Sequence, residues 1–168
     1  MRGESISMQN ESYAHHQGPS AYPCGDAVYN LGHILARNAG PSGFPQRTAV
    51  IDADVAGGRR ISYRELNERS NRCADVLRSL GVTKGDRVFV LMPNRAETVE
   101  IVFGCSKIGA VFTPANFRFS SEEIAFLIDD TEASVLVFDT AFAETVRDIG
   151  KRFPDLRAIE VGGSECVD

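Results

Sequence analysis

The residues of this chain with the chemistry of ligands, nucleophiles and bases are four cysteines, three histidines and the adjacent carboxylates Asp129 and Asp130. A zinc centre needs two close pairs of ligands, and Cys24, Cys73, Cys105 and Cys166 are far apart with no CxxC among them. Cys73 and Cys105 fall in apolar helical stretches and read as buried free thiols. His15 and His16 stand in a polar leader that contains Gly and Pro and read as solvated. His33 lies beside an apolar helical stripe without a nucleophile or carboxylate to complete a constellation. Asp129 and Asp130 close a predicted helix and read as part of a solvated face. There is no GxSxG elbow from which a hydrolase triad could start.

Phosphate chemistry is no better provided for. Neither GxGxxG nor GxxxxGK[ST] occurs. The glycines and Lys84 of "GVTKGDR" connect a helix to a strand, and a helix C-terminus presents carbonyls, which repel phosphate. "VGGSE" follows the last predicted strand and could form a nest of backbone amides, but no helix follows it to complete an anion site. The inventory therefore yields no catalytic, cofactor-binding or metal-binding residue.

The elements around these residues are much better marked. Residues 1–26 have no hydrophobic period and read as a flexible leader, with one unit from 27 to 168. "AVYNLGHILARNA" puts Val28, Leu31, Ile34 and Leu35 on one helical face. "TAVIDADVAGGRRISY" reads as a hairpin turning at Gly57-Gly58. Ser62 and Glu65 form a capping box for a helix through Leu66, Cys73, Leu77 and Leu80, ended by Gly81. "VFVLM" is apolar on both faces, the pattern of a central strand covered on both sides. A largely apolar helix over 95–108, the strand "AVFTP", a second capping box at Ser120 and Glu123, and the apolar strand "SVLVF" follow. Phe142, Val146, Ile149 and Phe153 then mark a helix stopped by Pro154, and "RAIEV" is the last strand. The alternation predicts an α/β fold, a largely parallel sheet flanked by helices, with an N-terminal hairpin.

Bulk properties narrow the class. Hydrophobic residues make up 43% and charged residues 24% of the 168 positions, as in ordinary globular proteins. A formal charge of −5 argues against nucleic acid or an anionic membrane as partner. No apolar run is long enough to span a membrane and the leader lacks a signal-peptide core, so a cytoplasmic location is expected.

The order of the segments resembles the N-terminal portion of the adenylate-forming (AMP-binding) enzymes, which include acyl-CoA synthetases, luciferases and peptide-synthetase adenylation domains. "ISYREL", from Ile61 to Leu66, is similar to the first core motif of that family, and "KIGAVFTPAN", from Lys107 to Asn116, to its second. "NLGHILARNA" and "TAVID" fit its opening helix and strand, and the resemblance extends over residues 27–162. Asn116-Phe117-Arg118 followed by Glu122-Glu123-Ile124 resembles the acyl-CoA synthetase branch. Pro114 there ends strand pairing, and Asn116 and Arg118 are expected to serve a turn rather than to touch substrate.

The resemblance implies an acid–thiol ligase that uses ATP, Mg²⁺ and coenzyme A to make an acyl-adenylate and then an acyl-CoA. The family's phosphate loop, aromatic-Thr-Glu motif, ribose-binding Asp and catalytic lysine have no counterpart here, so no catalytic residue carries over. The chain is expected to stop before the phosphate loop, to bind no cofactor alone and to be inactive alone. Its expected partner is the remainder of the ligase or a complementing polypeptide, with self-association through an open sheet edge. The alternatives are a non-catalytic α/β interaction or complementation module and a flavodoxin-like nucleotide binder. The latter is disfavoured because no phosphate-binding turn follows an early strand.

Overall fold

The computed structural model describes residues 30–53 and 58–162. The leader with His15, His16 and Cys24, together with Val28, Gly57 and the stretch holding Cys166, lies outside the described residues. The described elements run α1 (Leu31–Ala39), β1 (Thr48–Asp52), β2 (Arg59–Ser62), α2 (Tyr63–Ser79), β3 (Arg87–Leu91) and α3 (Ala96–Ile108). They continue with β4 (Val111–Pro114), α4 (Ser121–Asp130), β5 (Val135–Asp139), a 3₁₀ turn (Thr140–Phe142), α5 (Ala143–Gly150) and β6 (Arg157–Val161). Strands β1 and β2 pair antiparallel as a separate hairpin, and the other four form a parallel sheet in the order β4-β3-β5-β6.

Period-two alternation in the central strands builds two cores. Val88, Val90, Met92, Val135 and Val137 meet Leu77 of α2 and Ile101 and Cys105 of α3 on one face. Phe89, Leu91, Leu136 and Phe138 meet Ile124 and Ile128 of α4 and Val146 and Ile149 of α5 on the other. Each such side chain contributes about 1.5–3 kcal/mol on burial. The chain steps from β3 to β4, then passes back across β3 to reach β5. Right-handed crossovers in opposite directions must use opposite faces, which is why α3 and α4 lie on different sides. A third, smaller cluster of Leu35, Ile61, Leu66 and Ala96 seats α1 and the hairpin against α2 and α3.

Both predicted capping boxes are present. The Glu65 amide donates to Ser62 Oγ at 3.2 Å while Ser62 N donates to Glu65 Oε2 at 2.8 Å. Ser120 and Glu123 repeat the pattern at 3.3 and 2.8 Å. Gly109 ends α3 at φ +74°, a conformation that favours glycine.

Two helices differ from the sequence reading. Helix α1 begins at Leu31, capped by Asn30, whose Oδ1 accepts from Gly32 N at 2.7 Å. The cap rotates the buried face to Gly32 and Leu35 and leaves Leu31 54% exposed. Helix α5 is shorter than expected: Asp139 accepts from the Ala141 amide, holding residues 140–142 in a 3₁₀ turn, and the helix ends at Gly150. Phe142 and Phe153 pack against the second core from outside the helix. Helices from this chain cover both faces of the sheet, as the apolar runs predict, and bury both central strands.

Candidate functional site

In open α/β sheets ligands gather beyond the carboxyl ends of the strands, where successive crossovers leave in opposite directions. Here that point lies at the ends of β3 and β5, and it is occupied by charged side chains. After β3, the Pro93-Asn94 break turns the chain and delivers Arg95 at the start of α3. Asp139 closes β5, Asp52 closes β1, and Arg59 opens β2 opposite Asp52.

These groups form one continuous chain of ion pairs. Asp139 Oδ2 accepts from Arg95 Nη1, and Arg95 Nε donates to Glu97 Oε2 at 2.7 Å. The other Glu97 oxygen accepts from Arg59 Nη2 at 2.6 Å, and the same Nη2 lies 3.3 Å from Asp52 Oδ2. Asp52 Oδ2 also accepts from the Ala96 amide at 3.2 Å, placing a carboxylate on the positive end of α3. Asp52 and Asp139 are buried. Gly162, at φ +101°, passes directly over this chain: a Cβ there would lie 2.8 Å from Arg95 Nη1.

The electrostatics follow from the contacts. Burial would push Glu97 up, but the hydrogen bonds from Arg59 and Arg95 outweigh it and hold its carboxyl below the usual range. The bond to Glu97 raises Arg59 further; for Arg95 the bonds to Glu97 and Asp139 overcome a burial effect of opposite sign. Glu100, one turn along α3, behaves oppposite to Glu97: burial raises it, and Arg69 at 3.4 Å only partly offsets that. With three carboxylates bridging two guanidiniums, the positive charge is already committed. The arrangement ties hairpin, helix and sheet together; it is not a cradle for a polyphosphate or a carboxylate substrate.

The residues singled out in the sequence lie elsewhere. His33 is exposed on α1 and lines a shallow groove with Asn67 and Lys107. Lys84 sits in the turn before β3, its stem beside Gly109. Asp129 and Asp130 are exposed, Asp129 at the rim of a groove of about 520 Å³ at the amino ends of β5 and β6. Asn116 makes the expected local turn, accepting from Arg118 N at 3.0 Å, and the Arg118 guanidinium lies 5.7 Å from the Phe117 ring centre. Burial lifts the Cys73 thiol to about 11 and that of Cys105 to about 12, so both are protonated. Among the described residues no group of three His, Cys, Asp or Glu side chains is placed to hold a metal. The ion-pair chain was missed by sequence reasoning. Its signal was a charged residue at the end of each apolar strand: Asp52 after "TAVI", Arg95 after "VFVLMPN" and Asp139 after "VLVF".

A parallel sheet with helices on both faces, a separate hairpin and a charged seam across the strand ends places the molecule among α/β proteins of the open-sheet class. The AMP-binding enzyme model matches residues 36–163, and the chain belongs to that family. It is 37% identical over 117 residues to the long-chain-fatty-acid–CoA ligase FadD13 of Mycobacterium tuberculosis, a match covering 70% of this chain and 22% of that protein. It is 40% identical over 114 residues to a feruloyl-CoA synthase of Amycolatopsis sp, covering 66% and 23%. The structure overlays the N-terminal domain of FACL13 from Mycobacterium tuberculosis with a TM-score of 0.71 and 28% identity, covering 84% of this chain and 39% of that one. The chain thus spans less than a quarter of the length of these two curated relatives.

Proposed function

We propose that this chain is an N-terminal segment of an ATP-dependent carboxylate–CoA ligase and acts as scaffold for it. The observation that carries the reading is the match of residues 36–163 to the AMP-binding model, with CoA ligases as the similar proteins. In the whole enzyme, a carboxylate oxygen attacks the α-phosphorus of ATP and pyrophosphate leaves. The thiol of coenzyme A then attacks the acyl carbon, AMP leaves, and Mg²⁺ screens the phosphate charge of the first step.

The described residues do not fit the nucleotide or the metal. Arg59 and Arg95, the guanidiniums at the strand ends, are each bound to carboxylates, and no acidic group stands free beside them to hold Mg²⁺. No step is therefore assigned to this chain's side chains, and its partner is the remainder of the ligase or a polypeptide that complements it.

Purified chain incubated with ATP, Mg²⁺, labelled pyrophosphate and a panel of fatty and aromatic acids is expected to give no acid-dependent exchange. Without positioned donors the developing phosphate charge has no stabilisation. Exchange above the no-acid background would overturn the scaffold reading.

A further inference from the structure

Two surface patches of this molecule are each centred on an exposed phenylalanine, and they carry opposite charge. On α4, Ile124, Ala125 and Ile128 are buried against the sheet, whereas Phe126 is 63% exposed, more than any other large apolar side chain among the described residues. Glu122 stands four residues before it and Asp129 and Asp130 three and four after it, the spacings that make neighbours on a helix surface. Asp129 and Asp130 also occupy a last turn that holds no basic residue, where carboxylates oppose the helix dipole. Local helix stability therefore does not account for them.

The second patch lies where the chain between α1 and the hairpin meets the start of α2. Phe44 is 52% exposed, and the Arg47 guanidinium lies 5.0 Å from its ring centre. Arg64 is brought alongside by two backbone bonds of 3.0 Å, from Arg64 N to Pro45 O and from Tyr63 N to Arg47 O. Both arginines are exposed, and neither makes an ion pair with another described residue. Of the carboxylates that follow on α2, Glu65 is held by Ser62 and Glu68 pairs with neither arginine. Helix α2 packs on one face of the sheet and α4 on the other, so a single molecule does not bring its two patches together.

We propose that a second copy of this chain docks on α4, its Phe44, Arg47 and Arg64 seated over Phe126. The two phenylalanines supply the apolar contact, and the arginines meet Glu122, Asp129 and Asp130 around it. The patches are different surfaces on opposite sides of the sheet, so the contact is heterologous. Each added copy leaves one patch free at either end, and copies join head to tail. This contact is independent of the ligase reading and of the sheet edges.

The test follows the mass of the full chain by light scattering and sedimentation. The parent should grow with concentration without stopping at a dimer, and raising sodium chloride to about 0.5 M should oppose growth by screening the charges. Phe126→Ser with Asp129→Asn and Asp130→Asn removes one patch; Phe44→Ser with Arg47→Gln and Arg64→Gln removes the other. Each variant alone should need about a hundredfold more protein to associate. Mixed in equal amounts, each supplies the patch that the other lacks, and a 1:1 complex that grows no further is expected. Asp129→Asn with Asp130→Asn alone removes only charges that oppose the helix dipole. It should be at least as stable as the parent in urea yet associate about tenfold more weakly. Unchanged association of that variant overturns the proposal whatever the larger variants do. So does a parent that stays monomeric, or a mixture that stays monomeric while circular dichroism shows both variants folded.

Discussion

Glu97 and Glu100 stand one turn apart on the same helix and should respond oppositely to neutralisation. The folded state holds Glu97 below its ordinary value, so its stabilisation is complete above the unfolded pKa and is lost as pH falls through the folded one. Glu97→Gln is therefore expected to cost about 1.5–3 kcal/mol of stability at pH 7 for a lost charged hydrogen bond, read as a lower urea midpoint, with the difference from the parent vanishing in acid. Glu100 is raised by burial, so ionising it costs stability as pH climbs through its folded pKa. Glu100→Gln should equal or exceed the parent at pH 7, and the gain should disappear below the ordinary glutamate range. Urea curves for both variants at pH 7 and pH 3.5 decide it; a shift of the same sign for both at pH 7 contradicts the assignment of causes.

At the scale of elements, the two capping boxes are the most local devices in the fold. Ser62→Ala and Ser120→Ala should each cost about 1 kcal/mol, read as lower denaturant midpoints; midpoints equal to the parent would mean that the caps are not formed in solution. Their legibility in the sequence has the same origin: a cap depends on residues three apart, and nothing distant is needed to recognise it. The same holds for β3 and β5, whose unbroken apolar runs specify a covered central position. Helices α1 and α5 were harder for a physical reason. The start of α1 is set by Asn30, whose Nδ2 donates to Ser106 O at 2.6 Å, a partner seventy-six residues away. The start of α5 is set by Asp139, which also holds Arg95. The ion-pair seam was illegible for that reason too, since its five members come from four separated segments and meet only once the sheet has formed.

For the molecule as a whole, the question is what the open edges of the sheet do. Helices cover both faces, but β4 and β6 each pair on one side only among the described residues. Val111 on β4, Phe117 and Phe119 in the following loop and Phe126 on α4 are exposed. Unpaired edges with apolar side chains nearby favour association with another chain. Size-exclusion chromatography with light scattering over a tenfold concentration range is expected to show a mass that rises with concentration. A sharp monomer at every concentration, without binding of the dye ANS, would show that the edges are adequately protected.

Among the described residues the hairpin shares no backbone ladder with the parallel sheet. It is held by the small cluster around Ile61 and by the grip of Arg59 on Glu97. Such an element can detach as a unit while the sheet stays intact, a partial opening whose free energy is smaller than that of global unfolding. Amide protons of β1 and β2 should then exchange with deuterium sooner than those of β3 and β5, and Glu97→Gln should widen the gap by removing the grip of Arg59 on α3. The charged seam would thereby act as a clasp, setting how often the N-terminal part of the molecule swings free of a sheet that remains folded beneath it.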